Sequence, residues 1–351
     1  MLATLLPARA RRLATAVATG VVALGFAGGA ALAKTELLVY TAVEADELAK
    51  FKTAIEKAVP DVTIKWVRDS TGIITSKLLA ELNNPQADLV WGQAASSLVL
   101  LANKGLFVGY TPKGLDKLDT RFYDTKNTPP LWVGQRAYGA VVCFNTAEGK
   151  KKNLPVPATW KDLTKPAYKG AVIMPNPNSS GTGYLNVTAW LQIMGEKGGW
   201  DYMNALHENI SRYTHSGSAP CKMAAAGETP IGISFAYRAV KSKQEGAPLE
   251  VVYPSEGLGW EIEAFGIVKA SKKQALAKKV ADWSITAEAM KLYAPGYEAV
   301  AMTGIPNPLP ELEKVKDKFI KADFGWAADN RERILSEWQK RYDAKSDPKK
   351  K

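Results

Sequence analysis

The chain has 351 residues, 46% hydrophobic and 23% charged, with two cysteines, two histidines and a formal net charge of +11. This composition excludes disorder over most of the length, and two histidines leave little room for a histidine-rich metal or acid–base centre. The positive charge does not by itself imply nucleic acid, because the lysines are scattered along the chain. The first pattern in chain order is a targeting one. Arg9, Arg11 and Arg12 precede an uncharged apolar run over 13–33 that ends in Ala31-Leu32-Ala33. A basic start, an apolar middle and a small-residue exit predict a secretory signal cleaved after Ala33, with a retained N-terminal anchor as the alternative. Cleavage there removes three arginines and takes the charge from +11 to +8. No later stretch of about 18 uncharged apolar residues follows, so the mature chain is not expected to span a membrane.

From residue 34 onward, short strands and helices alternate. Leu37–Thr41, 62–67 and 88–91 read as strands. The segments between them place Leu48, Phe51, Ile55 and Val59, and then Ile74, Leu78 and Leu82, at helical spacing, with a third helix around Leu98–Leu101. Three consecutive strand–helix units predict a parallel sheet with helices outside it. A longer strand is expected at 137–145. A second alternating block follows, with strands at 171–175, 230–235 and 249–254 and helices near 182–194, 199–210 and 237–245. A strand at 263–270 leads to one amphipathic helix over about 272–292, and the tail holds a helix near 328–342. The length exceeds a usual single core. Two lobes are therefore expected, crossed by the strands near 137–145 and 260–270. The expected division is 34–136 plus about 268–305 for lobe 1, 137–267 for lobe 2, and about 306–351 for C-terminal helices packing on the lobes. A cleft between lobes joined this way opens and closes by a hinge.

Cys143 and Cys221 are the only thiols, 78 residues apart. An even pair in an exported chain predicts a disulfide, with two separately buried thiols as the alternative. Closing such a loop stabilises the fold by roughly 4 kcal/mol on the chain-entropy model.

In a sheet of this kind ligands bind beyond the carboxyl ends of the strands, where loops open the helices. The sharpest such loop is Asn178-Ser179-Ser180-Gly181-Thr182-Gly183. Small residues ahead of a helix offer free backbone N–H groups, hydroxyls and the positive end of the helix dipole, which suits an anionic oxygen cluster. Without a Lys-Ser/Thr ending it is not a nucleotide P-loop. Asp69-Ser70-Thr71-Gly72 repeats the arrangement in the first block, and in both loops simple helix capping is the other reading. Glu44 and Asp46 follow the first strand, and Glu261 and Glu263 flank Ile262 on another, where one carboxylate of the pair is expected to face the cleft. With Trp91, Tyr237 and Trp260 these carboxylates make a set able to hold an ammonium group, although each aromatic alone also fits a core position. His207 reads as structural, and His215 lies in a loop near the cleft. No G-x-S-x-G elbow, H-E-x-x-H or paired-cysteine motif supports catalysis or a metal site.

Several segments, VYTAVEADEL, WVRDSTGIITSKLLAE, ADLVWG, MPNPNSSGTGYL, YTHSGSAPCKMAAAGE, IGISFAYRAV and GLGWEIEA among them, resemble periplasmic solute-binding proteins of ABC importers in the ferric-binding-protein-like group. More narrowly, they resemble the 2-aminoethylphosphonate-binding members. The resemblance runs over essentially all of 36–345. It implies a two-lobed periplasmic-binding-protein fold of type II and a monomer that does no chemistry. Such a protein hands a small zwitterionic phosphonate to a membrane permease in the periplasm and needs no cofactor. In that reading Ser70, Thr71, Ser179, Ser180, Gly181 and Thr182 hold the phosphonate, while Glu44 and Glu261 with Tyr237, Trp91 or Trp260 hold the ammonium. The ferric-binding relatives have a tyrosine pair near Ala236-Tyr237; alanine in place of one tyrosine argues against iron. Another anionic solute such as a sugar phosphate, ferric iron, and an exported phospho-hydrolase are the alternatives, in that order.

Overall fold

The computed structural model describes residues 34–309, 312 and 315–348; the expected signal segment lies outside the described residues. The first block folds as β1 (Thr35–Thr41), α1 (Leu48–Ala58), β2 (Val62–Arg68), α2 (Thr71–Ala80), β3 (Leu89–Ala94) and α3 (Ala95–Asn103), followed by the short β4 (Phe107–Val108). β1 pairs in parallel with both β2 and β3, as strand–helix–strand units require. α1 turns Phe51 and Ile55 inward, both fully buried. Every residue of β3 is buried, the signature of a strand covered on both faces.

β5 (Val133–Asn145) begins the crossing into the second block. There α4 (Thr146–Lys151), β6 (Val172–Pro175), α5 (Gly181–Asn209), β7 (Ile210–Thr214), α6 (Ala219–Ala225), β8 (Ile231–Phe235), α7 (Ala236–Gln244) and β9 (Leu249–Val252) follow in order. β10 (Trp260–Val268) returns the chain, and α8 (Gln274–Ser284), α9 (Ala287–Tyr293) and β11 (Ala299–Val300) follow it. The last described helices are α10 (Phe324–Asp329) and α11 (Arg331–Tyr342).

Eight strands form one path, β2-β1-β3-β10-β5-β8-β6-β7, with β4 paired to β10 and β9 and β11 paired to β5. At its centre β10 and β5 run antiparallel, from Trp260 opposite Gly139 to Phe265 opposite Val133, and both are buried along their whole length. These two strands join two separate hydrophobic cores. One holds Val39, Phe51, Ile55, Leu89, Ile267 and Val280; the other holds Val142, Met174, Trp190, Leu206, Ile233 and Trp338. Trp338 brings α11 onto the second core.

Two of the expected helices differ from the periodicity. The single helix expected over 272–292 is two, because the Thr286 hydroxyl accepts the Ala289 N–H and starts α9 anew. Apolar spacing alone cannot register that break. The two helices expected at 182–194 and 199–210 are both present within the span of α5, parted by a kink at Gly195, whose φ of 73° only glycine adopts at low cost. The tail helix is also divided, at Asn330.

Cys143 on β5 and Cys221 on α6 are bonded to each other and fully buried. The bridge closes a 78-residue loop within the second lobe. The double variant Cys143→Ala/Cys221→Ala is expected to lose about 4 kcal/mol and to melt roughly 10 °C lower than the oxidised protein in calorimetric scans. Equal melting temperatures would mean that the unfolded chain is not constrained by the bridge.

Candidate functional site

The carboxyl ends of the strands meet at a small cavity between the lobes. Its volume is ≈ 40 Å³, room for roughly three waters. Two helix starts border it. Ser70 precedes α2, with Thr71 at the first helical position, and Ser180 caps α5, its hydroxyl accepting the Gly183 N–H at 3.2 Å. Gly181 and Thr182 continue the second start, and Ser216 and Gly217 add a third loop of small residues. The N-terminal dipoles of α2 and α5 thus serve one space from two sides. Arg68, the last residue of β2, also lines it, tethered by its Nε to the Val43 carbonyl at 2.9 Å. Arg68 is absent from the residues expected from the sequence, although its place at a strand's carboxyl end ahead of Asp69-Ser70 is a usable signal.

Two carboxylates reach the cavity, Glu44 and Glu263. Glu44 is already held by cations: Arg238 of α7 at 2.7 Å, Arg68 at 3.7 Å and Lys222 at 4.0 Å. Arg238 also meets Asp46 at 3.2 Å, and Lys241 pairs with the same Asp46. These pairs bind the loop after β1 to a helix of the other lobe. Glu263 stands over a buried network. Arg136 donates both terminal nitrogens to Glu47 at 2.9 and 2.8 Å and its Nε to Glu263 at 2.7 Å, while its guanidinium lies 3.6 Å over the Tyr297 ring. Burial disfavours ionised Glu47, but Arg136 and Lys50 outweigh it and hold that carboxyl below its usual range. For Glu263 burial wins over Arg136 and pushes the carboxyl up to about 7.

The structure brings Glu44, Ser70, Thr71, Ser180, Gly181 and Thr182 together at the cavity and leaves five expected residues off its wall. Trp91 belongs to the first core, its Nε1 donating to Ser284 at 2.9 Å and its ring 5.2 Å from Phe51; its neighbour Gly92 takes the cavity face. Trp260 stacks on Phe319 at 5.2 Å and donates to the Ile320 carbonyl. Tyr237 stacks on Tyr297 at 4.8 Å, and burial pushes its phenol well up. Glu261 lies under α3, accepting the Ile262 and Ser96 amides at 2.9 and 3.4 Å; burial pushes it to about 7 against those bonds. Ser179 meets the His215 Nδ1 at 3.1 Å and opens onto an adjoining groove. His215 is itself held by the Asp347 carbonyl at 2.9 Å, and His207 stacks on Tyr213. The aromatic wall of the cavity is instead Tyr138 and Phe235, edge to face at 5.6 Å.

The two lobes also touch through the main chain. The Gly72 N–H at the start of α2 donates to the Ser179 carbonyl at 3.0 Å. A cavity walled by both lobes, with two helix starts facing it, is suited to surround a small solute.

The model of the family described as bacterial extracellular solute-binding protein matches residues 84–324. The chain belongs to that family. An uncharacterized protein of Haemophilus influenzae is 32% identical over 336 residues, covering 93% of this chain and 96% of its own. The solved periplasmic binding protein AfuA of Actinobacillus pleuropneumoniae, with exogenous fructose-6-phosphate bound, superposes with a TM-score of 0.81 at 30% identity, over 88% of this chain and 98% of that one. The phosphoglycerate transport regulatory protein PgtC of Salmonella typhimurium is 39% identical over 154 residues, 42% of this chain and 36% of its own length. The fold is the two-lobed, type II periplasmic-binding-protein fold with its cleft between the lobes, and the chain is a periplasmic solute-binding protein.

Proposed function

We propose that this protein captures a compact phosphonate zwitterion, 2-aminoethylphosphonate, in the interlobe cavity and passes it unaltered to the permease of an ABC importer. The observation that carries this reading is the cavity itself, small and lined by both kinds of charge. Arg68, the hydroxyls of Ser70, Thr71, Ser180, Thr182 and Ser216, and two helix starts suit an oxyanion. Glu263, beside Tyr138 and Phe235, suits a cation. Charge-assisted hydrogen bonds contribute roughly 1.5–3 kcal/mol each. A few of them, after association and closure costs, give micromolar or tighter binding.

A second reading rests on AfuA, whose structure carries fructose-6-phosphate: a sugar phosphate is bound through the same oxyanion donors. A space for roughly three waters has to open for either ligand, and further for a hexose phosphate, which has more than double the non-hydrogen atoms of aminoethylphosphonate. Iron has less support. Among the described residues no group of three or more His, Cys, Asp and Glu is placed to hold a metal ion, and Tyr237 is packed on Tyr297 away from the cavity wall.

Titration calorimetry of the mature protein against aminoethylphosphonate, inorganic phosphate, fructose-6-phosphate and ferric citrate separates these readings. The expected order places aminoethylphosphonate first, at micromolar or tighter, and phosphate well behind. Tighter binding of fructose-6-phosphate transfers the assignment to sugar phosphates.

A further inference from the structure

Building on the zwitterion reading, we propose that Glu263, helped by the Tyr138 hydroxyl, is the specificity-determining group for the ligand's cationic end, and that Glu44 is not. Both carboxylates line the cavity, but their surroundings differ. Glu44 has three cations within 4.0 Å, two of them from the opposite lobe, so its charge is already answered by the protein. Its work is to hold the loop after β1 against α7.

Glu263 is answered only in part. Its Oε2 accepts the single Arg136 Nε bond at 2.7 Å, while its Oε1 has only the long 3.5 Å contact with the Tyr297 hydroxyl. Arg136 directs its two terminal nitrogens to Glu47, which holds Lys50 at 2.9 Å as well. Glu47 is therefore the better satisfied of the two carboxylates that share this arginine. The other charged or titratable groups acting on Glu263 are Glu47 and Glu44, both of like sign, and the neutral phenols of Tyr138 and Tyr297. A positive group arriving in the cavity supplies the missing partner.

Tyr138 lies two residues along β5 from Arg136, so both project to the same face of the strand. Its ring packs edge-on to Phe235 at 5.6 Å, and it makes no side-chain hydrogen bond among the described residues. A carboxylate oxygen in want of a donor, an unengaged hydroxyl and an aromatic wall in one small space match an alkylammonium. A neutral alkyl tail would leave that oxygen unanswered.

The test compares aminoethylphosphonate with ethylphosphonate, which keeps the anion and the chain and lacks the amine. Wild type is expected to bind aminoethylphosphonate at least tenfold tighter. Glu263→Gln is expected to erase that preference by weakening aminoethylphosphonate alone, leaving ethylphosphonate within about twofold. Tyr138→Phe, which disturbs no ion pair, is expected to reduce the preference part-way. It keeps the question open to measurement if Glu263→Gln fails to fold, as circular dichroism would show. A Glu263→Gln protein that still prefers the amine, or loses both ligands equally, overturns the inference while leaving the zwitterion reading intact; so does an unchanged preference in Tyr138→Phe. Failure of wild type to bind aminoethylphosphonate at all overturns both.

Discussion

Gly72→Ala is expected to weaken ligand binding at least about a hundredfold, some 2.7 kcal/mol, while leaving the protein folded. A methyl group at Gly72 would lie 2.2 Å from the Asn178 carbonyl oxygen and 2.8 Å from the carbonyl carbon and oxygen of Ser179. All three are main-chain atoms and cannot turn aside as a side chain would. Gly72 belongs to α2 on the first core, and Asn178 and Ser179 to the loop between β6 and α5 on the second. The clash therefore falls between lobes rather than inside one. Alanine is a better helix former than glycine by about 1 kcal/mol, so α2 itself gains. The consequence is a protein held ajar, with the Ser70-Thr71 and Ser180-Thr182 donors too far apart to grip one ligand. Calorimetry with whichever of aminoethylphosphonate and fructose-6-phosphate binds wild type measures the loss. Solution scattering should show ligand-induced compaction in wild type and none in the variant. Normal affinity and compaction in Gly72→Ala would mean that the closed state does not use this contact.

Arg136→Met should cost about 3–5 kcal/mol of stability, seen as a melting temperature lower by roughly 10 °C or more. Arg136 and Glu47 are each 1% exposed, and removing the cation leaves Glu47 and Glu263 facing each other across a methionine. Two buried carboxylates without their arginine have folded-state pKa values above those of the unfolded chain, so the folded state binds more protons. Stability is then lost as pH rises through that window, and the deficit should be smaller at pH 5 than at pH 8. Adding Glu47→Gln and Glu263→Gln removes both charges, and the triple variant should recover most of the loss. A single variant that melts within a degree or two of wild type at pH 8 would contradict the role given to this network.

Much of the scaffold and part of the site follow from short-range signals. Alternating apolar spacing located each βα unit of the first block, because a helix and a strand bury their sides with different periods. Ser70-Thr71 and Ser180-Gly181-Thr182 stood out as helix starts at strand carboxyl ends, and both border the cavity. The aromatic and acidic partners were not legible in the same way. β3 is buried at every position, so no polar–apolar alternation tells which of Trp91 and Gly92 turns to the cleft. Glu261 and Glu263 share one face of β10, and only the packing of α3 against that strand takes Glu261 out of reach.

The residue order alone carried the export pattern, the strand–helix alternation and the serine-rich helix starts, since each is written in neighbours a few positions apart. The assignment of charges required the folded molecule. Arg136 lies 89 residues from Glu47 and 127 from Glu263, and Glu44 lies 194 from Arg238. Which carboxylate is neutralised by the protein and which is left for a ligand depends on strands and helices being brought together in space. Burial then makes every unmatched charge costly, so these distant pairings decide the chemistry of the cleft.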